Sequence, residues 1–134
     1  MGQIFQGAGV MLAADVNAPN ATETAGPQTN AITPPFNNAK AIVWGTVILT
    51  PGAGNTTVVL NVRRNAAGEN VVVNPSAISL TVIAATPIAI PFSYTDYIPD
   101  NRPVQYEVTV TVAGGAGAGT IKAGSSICAE LISG

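Results

Sequence analysis

The sequence predicts an all-β fold, an antiparallel β-sandwich or jelly roll preceded by an extended N-terminal arm. From residue 40 onward, short segments rich in β-branched residues recur between Gly, Pro and Asn turns. Segment 104–112 alternates apolar and polar residues throughout, which indicates a strand with one buried and one solvated face. No segment of this part shows a sustained helical period, so strands are the predicted element.

Seven or eight strands are expected in the predicted domain, residues 40–134. Their segments are 41–49, 57–64, 71–73, 77–85, 87–95, 104–112, 120–123 and 125–132. The first is apolar on both faces, and its Trp44 is expected in the core. Pro87 and Pro91 lie beside or within segment 87–95. Because proline cannot donate to a central ladder, we expect that strand at a sheet edge.

Residues 1–39 differ in composition from the rest and form the predicted arm. They contain four prolines and no basic residue, and their apolar residues fall in short clusters. Such a segment is too apolar for a free tail and too interrupted for a domain. It packs either as extra strands on its own domain or along a neighbouring subunit, and the low charge favours the second. The expected anchors to a partner are Ile4, Phe5, Val10, Met11, Leu12, Ile32 and Phe36.

Composition argues against several functional classes. Charged residues make up 9% of the chain and the net charge is -2, so no basic field for nucleic acid exists. The chain contains no histidine, and its carboxylates are scattered, so we expect no enzyme activity, cofactor or metal. No apolar run approaches the roughly 18 residues of a membrane span. A surface this poor in charge is typical of a protein covered by partners or of a neutral extracellular one.

The glycine-rich stretch VAGGAGAGTIKAG, residues 112–124, fits neither common phosphate-binding motif. A Walker loop that starts at Gly114 reaches its second glycine at Gly119, but Lys122 then comes two residues late. The dinucleotide fingerprint needs a glycine where Lys122 stands. A hairpin or loop between two strands is the prediction, and whether its backbone lies against a neighbouring subunit stays open.

Two smaller features have competing interpretations. Asp96 and Asp100 are close in sequence and could bind calcium together with nearby carbonyls, but a turn around Pro99 is the favoured interpretation. Cys128 cannot form an internal disulfide, because it is the only cysteine. Without a histidine base it is expected to be a small, buried, inert residue.

The chain resembles the decoration, or cementing, proteins of tailed-phage capsids and related virion jelly rolls. The residues that carry the resemblance are IVWGTVILTPGAGNTTVVLNVRR, VQYEVTVTV and GTIKAGSSICAELI, within residues 40–134. The resemblance implies a homotrimer on the capsid surface, seated at three-fold or quasi-three-fold positions on the major capsid protein. It implies a mechanical role, clamping the shell through the arm, without nucleic-acid or membrane contact.

The alternative function is a binding module, a carbohydrate- or receptor-binding jelly roll of a phage fibre or tail. Sugar sites usually display exposed aromatic side chains for stacking. Tyr94 and Tyr97, near Asp96, are the expected sugar platform.

Overall fold

A computed structural model describes residues 4–35, 37–52, 56–74, 76–83, 86–114 and 119–132, and for residues 4–6 the backbone alone. The described residues form strands and no helix. The strands are β1 (Ile4–Met11), β2 (Val16–Ala18), β3 (Thr24–Gln28), β4 (Ala39–Thr50), β5 (Thr56–Ala66), β6 (Glu69–Val72), β7 (Ile78–Val82), β8 (Ile88–Ile98), β9 (Gln105–Ala113), β10 (Gly119–Ile121) and β11 (Ser126–Ile132).

Two antiparallel sheets form the sandwich. Sheet A contains β1, β11, β4 and β8 in that order, and β10 and β2 extend it at one end. Sheet B contains β3, β9 and β5, and β6 and β7 pair with successive parts of β5. Each of the eight segments expected from the sequence beyond residue 40 overlaps one of the strands β4 to β11, with bounds that differ by up to a few residues.

The order of pairing identifies the sandwich as a jelly roll. β1 pairs with β11, β3 with β9, β4 with β8, and β5 with β6 and β7. The two strands of each pair flank the next pair in the sequence, so the chain is equivalent to one long antiparallel hairpin that has been rolled up. Successive pairs in this order lie alternately in sheet A and sheet B. This is the double Greek-key arrangement of jelly rolls, and it confirms the predicted fold class.

The N-terminal segment is built into this arrangement. β1 is the edge partner of β11, β2 pairs with β10, and β3 is the edge partner of β9. The expected boundary between residues 39 and 40 falls inside β4. The described part of the expected arm therefore packs on its own domain and not along a neighbouring subunit. It supplies strands to its own domain, and the sandwich begins at β1 rather than at residue 40.

The core lies between the two sheets and is made of alternate residues of the long strands. Val43 of β4, Leu60 of β5 and Val110 of β9 are each at most 1% exposed. Full burial of such a side chain contributes about 1.5–3 kcal/mol. Gly45 allows the central strand to pack closely, because a Cβ there would overlap the Ser126 carbonyl and approach the Phe92 ring to 2.9 Å.

Two local expectations are resolved by the topology. Among the described strands β8 pairs with β4 alone, so the edge position expected from Pro87 and Pro91 is confirmed. The glycine-rich stretch joins β9 of sheet B to β10 of sheet A, with residues 115–118 outside the described ranges. It connects the two sheets rather than closing a hairpin. Strands lie on both sides of it, so the strand–loop–helix context of a phosphate loop is missing.

Candidate functional site

The outer face of sheet B is polar. On β5 and β9 the side chains that point away from the core form cross-strand pairs such as Asn61 with Thr109 and Arg63 with Glu107. Arg63 donates to both carboxylate oxygens of Glu23, at 2.7 and 2.9 Å. The pKa of Glu23 is lowered mainly by its hydrogen bond from Arg63 and, to a smaller extent, by the one from Thr109. This face is typical of a solvated sheet.

The outer face of sheet A is mostly apolar, and we call it the Trp44 face. Sequence parity and strand register place outward the following residues of β1, β4, β8 and β11: Gly7, Gly9, Met11, Lys40, Ile42, Trp44, Thr46, Ile48, Ala89, Pro91, Ser93, Thr95, Tyr97, Ser126, Cys128, Glu130 and Ile132. Only Lys40 and Glu130 among them are charged. Ile42, Trp44 and Ile48 of the central strand β4 are half-buried on this face.

Trp44 lies in the middle of this face and not in the core. Its cross-strand neighbours are Ser93 on β8 and Cys128 on β11, and Cys128 in turn pairs with Gly9 on β1. Both the odd-numbered and the even-numbered residues of β4 are largely apolar, as the sequence indicated. The strand register turns Val43 inward and Trp44 outward. The expectation that Trp44 belongs to the core is therefore wrong.

A groove of about 250 Å³ runs beside Trp44, between β4 and the edge strand β1. It exists because Gly7 and Gly9 place no side chains over Cys128 and Glu130. A Cβ at position 9 would come within 3.1 Å of the Cys128 sulfur. Cys128 is half-buried on this face rather than buried in the core.

Met11 and Tyr97 are the most exposed large side chains of the Trp44 face, at 67% and 65%. They stand at opposite edges of sheet A, on β1 and β8. The Lys40 ammonium lies 5.6 Å from the centre of the Tyr97 ring, within the range of a cation–π contact. The face thus has a half-buried apolar centre and projecting side chains at its rim.

Among the expected arm anchors, Val10, Met11 and Leu12 fall at the end of β1. Met11 points outward on the Trp44 face, whereas Leu12 packs against the core and Val10 is half-buried. The Leu12 backbone is held on both sides, since its N–H donates to Ser125 O at 2.8 Å and its carbonyl accepts from Gly124 N at 2.9 Å. Met11 is therefore the residue of the three that is available to a partner.

Ile32 is fully buried in its own core and exchanges backbone hydrogen bonds with Val104 of 2.8 and 2.9 Å. Its expected role as an anchor to another chain is corrected accordingly, because its side chain has no exposed surface. The side chains of Ile4 and Phe5, and all of Phe36, lie outside the described residues. Their anchoring role stays a prediction.

A buried charged cluster joins the two sheets at one end of the sandwich. Arg64 Nη1 donates to both oxygens of Asp96, at 2.9 and 2.8 Å, and Arg64 Nε donates to Glu69 at 2.9 Å. The Tyr106 hydroxyl donates to Asp96 Oδ2 at 2.7 Å. Burial, followed by the Asp96 carboxylate, raises the pKa of Tyr106 far above its usual value. The residues come from β5, β6, β8 and β9, so the cluster fixes how the sheets meet.

The carboxylates of Asp96 and Asp100 both have arginine partners. Asp96 is occupied by Arg64 and Tyr106, and Asp100 receives Arg102 Nε at 3.0 Å. The Arg102 hydrogen bonds lower the pKa of Asp100. Calcium would have to displace a guanidinium from each carboxylate. Within the described ranges no three Cys, Asp or Glu side chains are grouped to hold a metal ion.

The expected sugar platform is not assembled. Tyr94 and Tyr97 are three residues apart on β8, so they lie on opposite faces of the strand. Tyr94 turns toward the core and donates to Ser76 O at 3.4 Å, while Tyr97 points outward. The aromatic residue beside a groove is Trp44 instead. No helix among the described residues has the length and apolarity to span a membrane.

No protein-family model and no curated protein matches the chain. Solved structures share its fold. A chain of infectious bursal disease virus, Gx strain, matches with a TM-score of 0.59 at 10% identity, covering 97% of this chain and 32% of that one. The VP2 subviral particle of the same virus gives 0.57 at 9% identity, over 98% and 36%. Eiger TNF from S. frugiperda gives 0.55 at 10% identity, over 96% and 92%.

The chain therefore spans about a third of the length of the viral chains it matches and nearly all of the Eiger chain. At these identities the likeness shows the fold alone. The fold is the jelly roll of viral capsid proteins and of the TNF structure.

Proposed function

We propose that this chain is a non-enzymatic structural protein of a virus particle, a decoration or cementing protein that binds the shell through its Trp44 face. The observation that carries the proposal is the contrast between the two outer faces of the sandwich. Sheet B presents Thr, Asn and ion-paired side chains to solvent, while sheet A presents Ile42, Trp44 and Ile48 from its central strand. A sheet face of this kind is stabilised when a partner covers it.

The arrangement of the face suits a mechanical contact. Met11 and Tyr97, each about two-thirds exposed, gain most from burial. Trp44 and the glycine-lined groove beside it can receive a partner side chain. Only one cation and one anion lie on the face, so covering it removes few charges from water. Aromatic anchors in the centre of a patch commonly contribute most of an interface's affinity.

Three further features support a virion location and a role without chemistry. The fold is shared with viral capsid jelly rolls. Arginine partners hold the carboxylates of Asp96 and Asp100. The chain has no histidine. In this proposal the protein is a homotrimer on the capsid surface, its partner is the major capsid protein, and the N-terminal residues act through β1, which forms one rim of the Trp44 face.

A matched pair of variants tests the proposal. Trp44→Glu places a charge at the centre of the Trp44 face, and Val59→Glu places the same charge on the outer face of sheet B, at a half-buried position of the central strand β5. Both are mixed with purified shells of the virus whose genome carries this sequence, and bound protein is measured by co-sedimentation. We expect the wild type and Val59→Glu to bind alike and Trp44→Glu to bind at least about tenfold more weakly.

Trp44 also reports on the contact directly. It is the only tryptophan, and it lies on the face itself, so its fluorescence should shift to shorter wavelength when the shell covers it. Circular dichroism and thermal unfolding verify that both variants fold. Shell binding by Trp44→Glu equal to the wild type, or no shell binding by the wild type, contradicts the proposal.

One observation favours a second candidate, a carbohydrate-binding module. The groove beside Trp44 combines an aromatic ring with the Glu130 side chain, the kind of pairing that binds the apolar face and hydroxyls of a sugar. Glycan-array binding that is lost in Trp44→Ala and retained in Tyr97→Ala would support this function over shell attachment.

A further inference from the structure

A second apolar surface lies away from the Trp44 face, along the side of the sandwich where β6, β7 and β8 end the two sheets; we call it the open edge. Val71, Val72 and Ile83 are exposed there, Ile83 to 69%. Between β7 and β8 lies a groove of about 350 Å³, lined in part by Leu80, Val82, Ile88 and Ile90, with the exposed Ile83 also at its lining. The large apolar side chains that the structure shows as exposed all belong to this edge or to the Trp44 face.

The open edge carries proline but no charge. Among the described strands β7 pairs with β5 alone and β8 with β4 alone. Exposed edges are commonly blocked by charged side chains, by proline or by bulges. No charged residue occurs between Glu69 and Asp96, whereas Pro87 and Pro91 lie beside and within β8. Both edges therefore lack the charges that would oppose contact with another chain.

The size of the edge matches a stable interface. The eleven residues of β8 extend over about 37 Å at 3.4 Å per residue. Two sheets packed about 10 Å apart, with their side chains, make the edge roughly 20 Å thick. Its area is thus on the order of 700 Å², close to the roughly 800 Å² per partner of a standard protein interface.

We infer that the open edge is where this chain binds further copies of itself, with Ile83 of one copy inserted into the β7–β8 groove of the next. An edge without charge can pack against a further copy without burying an unpaired charge. The open edge has no charge from residue 70 to 95, and it carries both the projecting side chain and the apolar groove that receives it. The trimer in this inference is taken from the proposed function. In this arrangement the Trp44 face remains uncovered and can bind the shell.

The test compares two equally exposed apolar residues at opposite sides of the sandwich. Ile83 is 69% exposed on the open edge, and Met11 is 67% exposed on β1. The full chain and the variants Ile83→Glu and Met11→Glu are studied by analytical ultracentrifugation and native mass spectrometry. We expect the wild type and Met11→Glu to form the same trimer of 13.5 kDa subunits. Ile83→Glu should dissociate at a concentration at least about 100-fold higher than the wild type.

Ile83→Ser serves as a second variant, because a small neutral side chain at an exposed position leaves folding intact even if the glutamate does not. It should also raise the dissociation constant, by a smaller factor. A monomeric wild type at about 100 µM, or the wild-type mass for both Ile83 variants, overturns the inference, as does dissociation caused by Met11→Glu instead. Shell binding that depends on Trp44 is measured separately, so either proposal can fail while the other stands.

Discussion

The hydrogen bond from Tyr106 to Asp96 offers a direct measure of what the buried cluster contributes to stability. Tyr106 has no exposed surface and Asp96 is 7% exposed, and their oxygens are 2.7 Å apart. A hydrogen bond to a charged group is worth about 1.5–3 kcal/mol. Because Asp96 keeps its two contacts with Arg64, the lower half of that range applies. We expect Tyr106→Phe to lower the free energy of unfolding by about 2 kcal/mol.

Tyr94→Phe is the matched control, since its hydroxyl makes a long contact of 3.4 Å to an exposed carbonyl, and it should cost less than about 0.5 kcal/mol. Urea unfolding at one fixed protein concentration gives both values, with the same m-value expected for all proteins. The reasoning is refuted if the free energy of unfolding of Tyr106→Phe lies within about 0.5 kcal/mol of the wild-type value, which is the usual effect of a neutral substitution.

The same residue predicts a pH dependence. The pKa of Tyr106 is raised in the folded protein, so above about pH 10 the unfolded chain releases this proton while the folded chain retains it. The unfolded state then binds fewer protons, and stability falls as the pH rises. Tyr106→Phe should lose stability less steeply above pH 10, by up to about 1.4 kcal/mol per pH unit. Equal slopes for the two proteins would contradict the assignment.

Two further predictions concern the strands themselves. Gly45→Ala should lower the free energy of unfolding by more than about 2 kcal/mol, because the new Cβ would meet the Ser126 carbonyl and the Phe92 ring. Gly7→Ala is the control: its Cβ would have no contact under 3.5 Å, so the free energy of unfolding should change by less than about 0.5 kcal/mol. Thermal and urea unfolding measure both variants. Deleting residues 1–38 removes an edge strand from each sheet and should abolish cooperative unfolding by circular dichroism, and a stably folded fragment would disprove the integral role of β1 and β3.

The strands beyond residue 40 were predictable because their sequence pattern agrees with their environment. β9 alternates Tyr106, Val108 and Val110 against Glu107 and Thr109, and the structure buries the first set in the core. β1 and β3 lack such a signal. β3 contains Gly26 and Pro27 and β1 contains glycines, residues with low strand propensity. These segments are strands because β11 and β9 offer them backbone partners at least 79 residues away.

The Trp44 face was only partly predictable. The sequence showed that β4 is apolar on both faces, but alternation cannot tell which face turns inward, and the choice depends on pairing with β8 and β11. The buried cluster left a clearer signal. Arg64 continues the parity of the core residues Val58, Leu60 and Val62, so an inward arginine that needs a buried carboxylate follows from the pattern. Its partner Asp96 could not be identified, because the contact depends on how the sheets stack.

The nested pairing of strands also determines when this protein can fold during its synthesis. β1 emerges first from the ribosome, but its partner β11 begins at Ser126, and β3 likewise waits for β9. Among the described strands, the innermost pairing, of β5 with β6 and β7, is the one that joins segments leaving the ribosome in close succession. Contacts so distant in sequence form slowly, and unpaired strands favour aggregation in the meantime. Sheet A can therefore be completed only after β11 has been translated, and a product truncated before Ser126 would not complete it.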